Sequence, residues 1–116
     1  MDFTSLQSDL SQFATERDWE QFHSVRNLLL ALVGEIGELA EILQWVDDAD
    51  IDKFLSEGGR DRVGEELADV ILYTARLAQQ AGVDLGVAVT TKLQKNAIKY
   101  PMEKARGNSK KYTELS

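Results

Sequence analysis

Cysteine is missing from this chain, and proline and histidine occur once each. Without cysteine there is no disulfide, no thiolate nucleophile and no zinc–thiolate site. A lone His23 excludes a multi-histidine metal site within one chain. The one proline, Pro101, leaves most of the sequence free to be helical. Long apolar runs are missing too. The longest covers residues 28–33, far short of the ~20 residues that span a bilayer. The start, Met1-Asp2-Phe3-Thr4, has no basic region followed by an apolar stretch, so it does not read as a secretory signal. These absences predict a cytoplasmic protein with no membrane contact. Basic charge is scarce: 13 Lys and Arg stand against 20 Asp and Glu, a net charge of −7. That balance argues against a general nucleic-acid binder.

What is present fits one domain, residues 1–116, with 43% hydrophobic and 28% charged residues. The charge is unevenly spread. Residues 1–91 hold 18 acidic and 6 basic residues. Residues 92–111 hold Lys92, Lys95, Lys99, Lys104, Arg106, Lys110 and Lys111 against Glu103 alone. An acidic centre with a basic C-terminal segment suits a metal-bound polyphosphate. A basic helix end complementing its own dipole explains Lys95 and Lys99 equally well, but not the charges beyond Pro101.

The acidic centre has a pattern. Glu35-x-x-Glu38 and Glu66-x-x-Asp69 are carboxylate pairs at i, i+3, each inside an apolar helical stretch. With Glu35 at 0° on a helical wheel, Leu28, Leu39 and Ile42 fall within about 40° of it and Glu38 at the edge of that stripe. With Glu66 at 0°, Leu77, Val70 and Tyr73 flank it within about 40° and Asp69 takes the edge. A carboxylate embedded among Leu, Ile and Val is costly unless protonated, paired or bound to metal. Four brought together repel, and a divalent cation resolves that conflict. All-oxygen ligands on facing helices suit Mg²⁺ or Mn²⁺. The alternatives are a solvated face, which suits Glu41 and Glu65, or a buried salt bridge with Arg26, Arg62 or Arg76 as partner.

The spacing predicts an all-α protein, a bundle of four main helices. The first, capped by Asp2 or Thr4, runs to about residue 17 and carries Leu6, Leu10 and Phe13 at helical spacing. An aromatic, polar loop follows at 18–23. A long helix from about 25 to 44 or 45 is apolar round most of its circumference and should be the central buried element. Its Gly34 and Gly37 each disfavour helix by about 1 kcal/mol relative to Ala, which close helix approach or room for a ligand would offset. The acidic connector 47–52 leads into a short helix broken at Glu57-Gly58-Gly59. Asp48-x-Asp50-x-Asp52 lacks the Gly and Glu of a calcium loop, so an EF-hand is rejected. A third long helix spans about 61–80 and stops at Gly82. A fourth, capped by Asp84, spans about 85–100 and ends at Pro101, with Lys92, Asn96 and Lys99 on one face. The tail, 102–116, reads as polar and extended.

At these residues the chain resembles the MazG-like nucleoside triphosphate pyrophosphohydrolases, whose metal motif Glu-x-x-Glu, spacer, Glu-x-x-Asp matches Glu35, Glu38, Glu66 and Asp69. Its resemblance to their dCTP pyrophosphatase subgroup covers nearly the whole chain. It includes Glu16-Arg17-Asp18-Trp19-Glu20-Gln21-Phe22-His23, Arg26-Asn27-Leu28 onward to Trp45, Lys95-Asn96, Tyr100-Pro101 and Lys111-Tyr112-Thr113-Glu114-Leu115. The resemblance implies Mg²⁺-dependent hydrolysis of a deoxynucleoside triphosphate, dCTP or a modified dCTP, to the monophosphate and pyrophosphate, as nucleotide-pool cleaning. It implies Trp19 and Trp45 at the base, and Lys92, Lys95, Asn96 and Tyr100 at phosphate or sugar. It implies a homo-oligomer, a tetramer built from dimers. The apolar surface of the second helix, more than four helices can bury mutually, points the same way. Where the subgroup can carry a histidine near the base, this chain has Leu10.

The chemistry needs an in-line water at the α-phosphorus and neutralisation of charge on the leaving pyrophosphate. Glu35 or Glu38 is the carboxylate that orients or deprotonates that water. Core packing is the alternative account of both tryptophans; the polar loop around Trp19 favours the pocket, while Trp45, at a helix end, fits either. Two rival functions remain: a dUTPase-like all-α enzyme, and a non-catalytic helical interaction module whose acids hold a structural ion or a partner's arginines.

Overall fold

The computed structural model describes residues 2–114; Met1 and, from the C-terminal resemblance, Leu115 lie outside them. The described residues are helical, with no strand among them. Helix α1 is Phe3–Glu16, α2 Val25–Leu43, α3 Ile51–Phe54, α4 Arg60–Ala81, α5 Leu85–Lys99 and α6 Met102–Ala105. The four long helices expected from periodicity are all present, with ends within about two residues of the expected ones, as fraying termini allow.

Local chemistry sets those ends. The Asp2 carboxylate accepts from Ser5 N at 2.7 Å and starts α1. Ser24 Oγ accepts from Asn27 N at 3.1 Å and starts α2, a cap worth about 1 kcal/mol over Ala. Asp84 Oδ1 accepts from Val87 N at 3.1 Å and starts α5. Helix α4 ends at Gly82, left-handed at φ 71°. Val83 N donates back to Ala78 O at 2.8 Å, closing the exposed carbonyls of the last turn. Between α3 and α4 the chain kinks where Gly58 takes φ 97°, the break expected at Glu57-Gly58-Gly59. The loop 18–23 holds one tight turn, Glu20–Phe22, after Asp18 at φ 54°. The tail is not wholly extended: Pro101 ends α5 and, with its φ already fixed, leads directly into the short turn α6.

The chain divides into two compact units, Met1–Val83 and Asp84–Ser116. In the first, α2 and α1 both pack on α4. Ala14, Leu28, Ala75 and Ala78 are buried there, and three of them are alanines, which lets the helices come close. Helix α2 departs from the expectation of a buried central element. Only Leu28 is buried, whereas Leu30 is 58% and Val33 57% exposed. Its one large helical neighbour, α4, covers one side, so the rest of an apolar circumference faces outward. Gly34 and Gly37 lie in open space, where an added Cβ would meet nothing within 4 Å. Their role is therefore room, not close approach within this unit. No helix among the described residues is long and apolar enough to cross a membrane.

Candidate functional site

The contact between α2 and α4 brings the embedded carboxylates together. Oxygens of Glu35, Glu38 and Glu66 lie within 4.8 Å of one another. Glu35 and Glu66 are partly buried and Glu38 is exposed. Glu35 Oε2 and Glu66 Oε2 are shut off from solvent and reach no hydrogen-bond donor. Asp69, one turn beyond Glu66 on α4, stands outside this tight group, yet its charge still acts on Glu35.

The arginines weighed as salt-bridge partners do not reach the pair. The ion pair seen among the described residues joins Arg17 to Glu16 at 3.7 Å on the surface. Glu35 is pushed from an ordinary 4.5 up to about 7. Burial is the largest cause, followed by the Glu66 carboxyl beside it and the charges of Glu38 and Asp69. For Glu66 the adjoining Glu35 carboxyl lowers the pKa, but burial and the neighbouring Glu38 and Asp69 outweigh it, and the net shift is upward. Buried oxygens without a donor and raised pKa values mark a cluster of mutually repelling carboxylates. Three carboxylates at this spacing can supply the oxygen ligands a hard divalent cation takes. An open hollow of about 580 Å³ adjoins them, lined by Glu38, Glu41, Arg62, Glu65 and Glu66. Glu41 and Glu65 are exposed, as their wheel positions predict.

Asp69 lines a second, smaller cavity of about 220 Å³. Leu10, Phe13, Leu28 and Leu72 give it apolar walls, and Trp19, Tyr73, His23, Asp69 and Arg76 complete it. Trp19 is held edge-on to Phe13 at 5.7 Å between ring centroids, and to His23 at 6.3 Å. Its backbone N–H donates to Ala14 O at 2.9 Å, which folds the loop back over the end of α1. Arg76, 5% exposed, donates through Nε to His23 Nδ1 at 3.2 Å and through Nη1 to Gln79 Oε1 at 2.6 Å. Gln80 Nε2 reaches His23 O at 2.9 Å. His23 has its pKa lowered, by burial first and then by the Arg76 charge, with Glu20 opposing.

The structure thus gathers Glu35, Glu38 and Glu66, and sets Trp19 and Asp69 on one cavity. It does not bring Trp45 to that cavity: the ring sits just past the end of α2 and is 86% exposed. Lys92, Lys95 and Asn96 share the exposed side of α5, and Tyr100 follows its end, all in the second unit. Sequence reasoning missed Tyr73, His23, Arg76, Phe13 and Leu72 as site residues. Tyr73 carried a signal, since it shares the wheel sector of Glu66. Arg76 is seven residues after Asp69, two helical turns along the same face.

The MazG-like family model matches residues 31–115. Human (Homo sapiens) dCTP pyrophosphatase 1 is 52% identical over 106 residues, covering 90% of this chain and 62% of that protein. The protein of the same name from Rattus norvegicus is 50% identical over the same length, with the same coverage. The Gene 37 protein of Mycobacterium phage L5 is 32% identical over 100 residues, 86% of this chain and 83% of that one. The chain therefore spans about three fifths of the length of the dCTP pyrophosphatases it matches. Among solved structures, a pyrophosphatase from Archaeoglobus fulgidus DSM 4304 aligns with a TM-score of 0.77 at 35% identity, covering 84% of this chain and 91% of that one.

Proposed function

This chain belongs to the MazG-like family, and from that premise we propose that it is a Mg²⁺-dependent nucleoside triphosphate pyrophosphohydrolase. Its favoured substrates are dCTP or a modified dCTP, which it converts to the monophosphate and pyrophosphate. The observation that carries the reading is the pair of buried, donor-less carboxylate oxygens of Glu35 and Glu66 beside an aromatic cavity. The dCTP pyrophosphatases, about half identical over 90% of the chain, supply the substrate class.

In this reading Glu35, Glu38, Glu66 and Asp69 hold the metal. When bound, Mg²⁺ supplies positive charge to the triphosphate oxygens and offsets the repulsion among the four acids. Glu38, exposed at the mouth of the cluster, or Glu35 orients the attacking water and takes its proton. The new bond forms to the α-phosphorus while its bond to the bridging oxygen breaks, and the electron pair leaves with pyrophosphate. Trp19 stacks on the base, as any base allows. Lys92, Lys95, Asn96 and Tyr100 meet the phosphates and sugar.

The whole of residues 1–116 acts as one catalytic domain, in the cytoplasm and without nucleic acid or membrane as partner. It works as a homo-oligomer, a tetramer built from dimers. The apolar residues that α2 leaves exposed support that assembly. Trp45 then contributes to the base site of a neighbouring copy.

The test is pyrophosphate release with and without Mg²⁺, over the canonical deoxy- and ribonucleotides and 5-modified dCTP, with products identified. Fastest metal-dependent release from dCTP or its modified form is expected. Exclusive use of dUTP would transfer the chain to the dUTPase-like class. Release from no nucleotide would leave the interaction module.

A further inference from the structure

Arg76 is a buried cation with no carboxylate bonded to it. Charged side chains are almost never buried unpaired, and the partners it does have are neutral. His23 Nδ1 accepts from Nε, so the imidazole carries its proton on Nε2. Gln79 Oε1 accepts from Nη1. Gln79 is itself pinned, donating to Gln7 O at 3.2 Å, while Gln7 donates to Ala75 O at 2.9 Å. Two hydrogen bonds in different directions fix the plane of the guanidinium. They use two of its five N–H groups. Nη2 makes neither of these bonds and is not among the occluded, unpartnered atoms, and Arg76 lines the cavity.

That cavity is small and flat-walled. About 220 Å³ is below the ~300–1,000 Å³ of sites that take whole drug-sized ligands, so it suits one ring of a larger ligand. Apolar and aromatic walls fit a planar face. Asp69 lies on the cavity and also acts on Glu35, so a ring seated here shares Asp69 with the carboxylate cluster. With Leu10 on the wall, hydrogen bonding to the ring falls to the polar groups opposite.

We propose that Arg76, held in plane by His23 and Gln79, reads the Watson–Crick edge of a cytosine base in this cavity and so sets base preference. The proposal rests on the pyrophosphohydrolase reading above. Cytosine presents O2 and N3, two adjacent acceptors that match two guanidinium N–H groups. Uracil and thymine carry a proton on N3, which opposes one of those donors. Guanine offers O6 and N7 to an arginine, but on a bicyclic ring that needs more room. Arg76 is thus a substrate-binding residue, and His23 and Gln79 position it.

The full chain with Mg²⁺ is assayed for kcat and KM on dCTP, dUTP, dGTP, 3-deaza-dCTP and the 2-pyrimidinone deoxynucleotide, which keeps O2 and N3 but lacks the 4-amino group. The parent should favour dCTP over dUTP by about 10–100-fold, the discrimination a bidentate pair provides. It should lose a similar factor on 3-deaza-dCTP and only a few-fold on the 2-pyrimidinone form. Arg76→Lys should raise KM for dCTP, erase most of the dCTP/dUTP ratio and no longer distinguish 3-deaza-dCTP. The analogue series on the parent decides the matter if that variant folds poorly. Turnover of 3-deaza-dCTP at the dCTP rate, or preference for dGTP, overturns the assignment of Arg76 and leaves the enzymatic reading standing. Release from no nucleotide at all overturns the enzymatic reading and this assignment with it.

Discussion

Glu35 on α2 and Glu66 on α4 face each other so that each buries one carboxylate oxygen with no donor to meet it. Two ionised acids in that position are mutually destabilising, and among the described residues no arginine is ion-paired with them: Arg76 bonds His23, and Arg26 and Arg62 are exposed. On the function proposed above, the ligand that brings the offsetting positive charge is the metal ion.

Changing Glu66→Gln keeps the side chain's shape and removes one negative charge. An amide is a poor ligand for a hard cation. Mg²⁺ affinity and turnover should therefore fall together, by at least the 10–100-fold that even outer-shell partners of a metal are worth. In chelator the melting temperature should hold or rise, because repulsion within the cluster is relieved. A structural salt bridge predicts the opposite sign, since an unpaired buried charge would remain. Calorimetric titration with Mg²⁺ and melting curves with EDTA separate the two. A variant that melts well below the parent in EDTA yet turns over nucleotide at the parent rate would sink the metal-site reading.

The raised Glu35 pKa gives the metal-free protein a definite pH dependence. Its carboxyl titrates near 4.5 in an unfolded chain and near 7 in the folded one. Below about 4.5 both states hold the proton and the contribution to stability is intact. Between 4.5 and 7 the unfolded chain releases its proton first, so stability falls as pH rises, and the loss is complete above 7. In EDTA the parent should melt higher at pH 5.5 than at pH 8, and Glu35→Gln should flatten that difference. Metal binding must displace the proton, so apparent Mg²⁺ affinity should climb as pH rises toward 7 and level off above it. A parent whose EDTA melting temperature rises from pH 5.5 to 8 in step with that of Glu35→Gln would contradict this account.

The carboxylate cluster was legible in the sequence because two signals coincide at Glu35 and Glu66: charge, and a place inside an apolar stripe. Helix ends were legible for a similar reason. Asp2, Ser24, Asp84 and Gly82 act within their own turn, and the contacts they make are three or four residues away. The cavity was not legible. Arg76 meets His23 across 53 residues of sequence, and Gln79 meets Gln7 across 72. Neither pair has any local pattern to announce it. Trp45 shows the limit from the other side. An aromatic residue at the end of an apolar helix reads as pocket or core, but its 86% exposure comes from what does not pack on it, which periodicity within α2 cannot express.

The outward side of α2 leads to the last prediction. Leu29, Leu30, Val33 and Ile36 are each about half exposed, and the second unit exposes Val87, Val89, Leu93 and Ile98. Single exposed apolar residues are ordinary, but this many on neighbouring helical turns form patches that mark interaction surfaces. Gly34 and Gly37, open on the same helix, leave space for a neighbour's side chains or for substrate. The full chain should therefore elute and scatter light as a multiple of 13.0 kDa, a tetramer on the reading above. Leu30→Asp combined with Val33→Asp buries no new charge in the isolated chain, because both side chains already face outward. The variant should keep its helical circular dichroism, shift toward monomer and lose most turnover, since an incomplete assembly lacks the base and phosphate contacts of its neighbours. A parent that is a stable, fully active monomer at micromolar concentration would overturn this, as would a monomeric double variant that keeps parent activity.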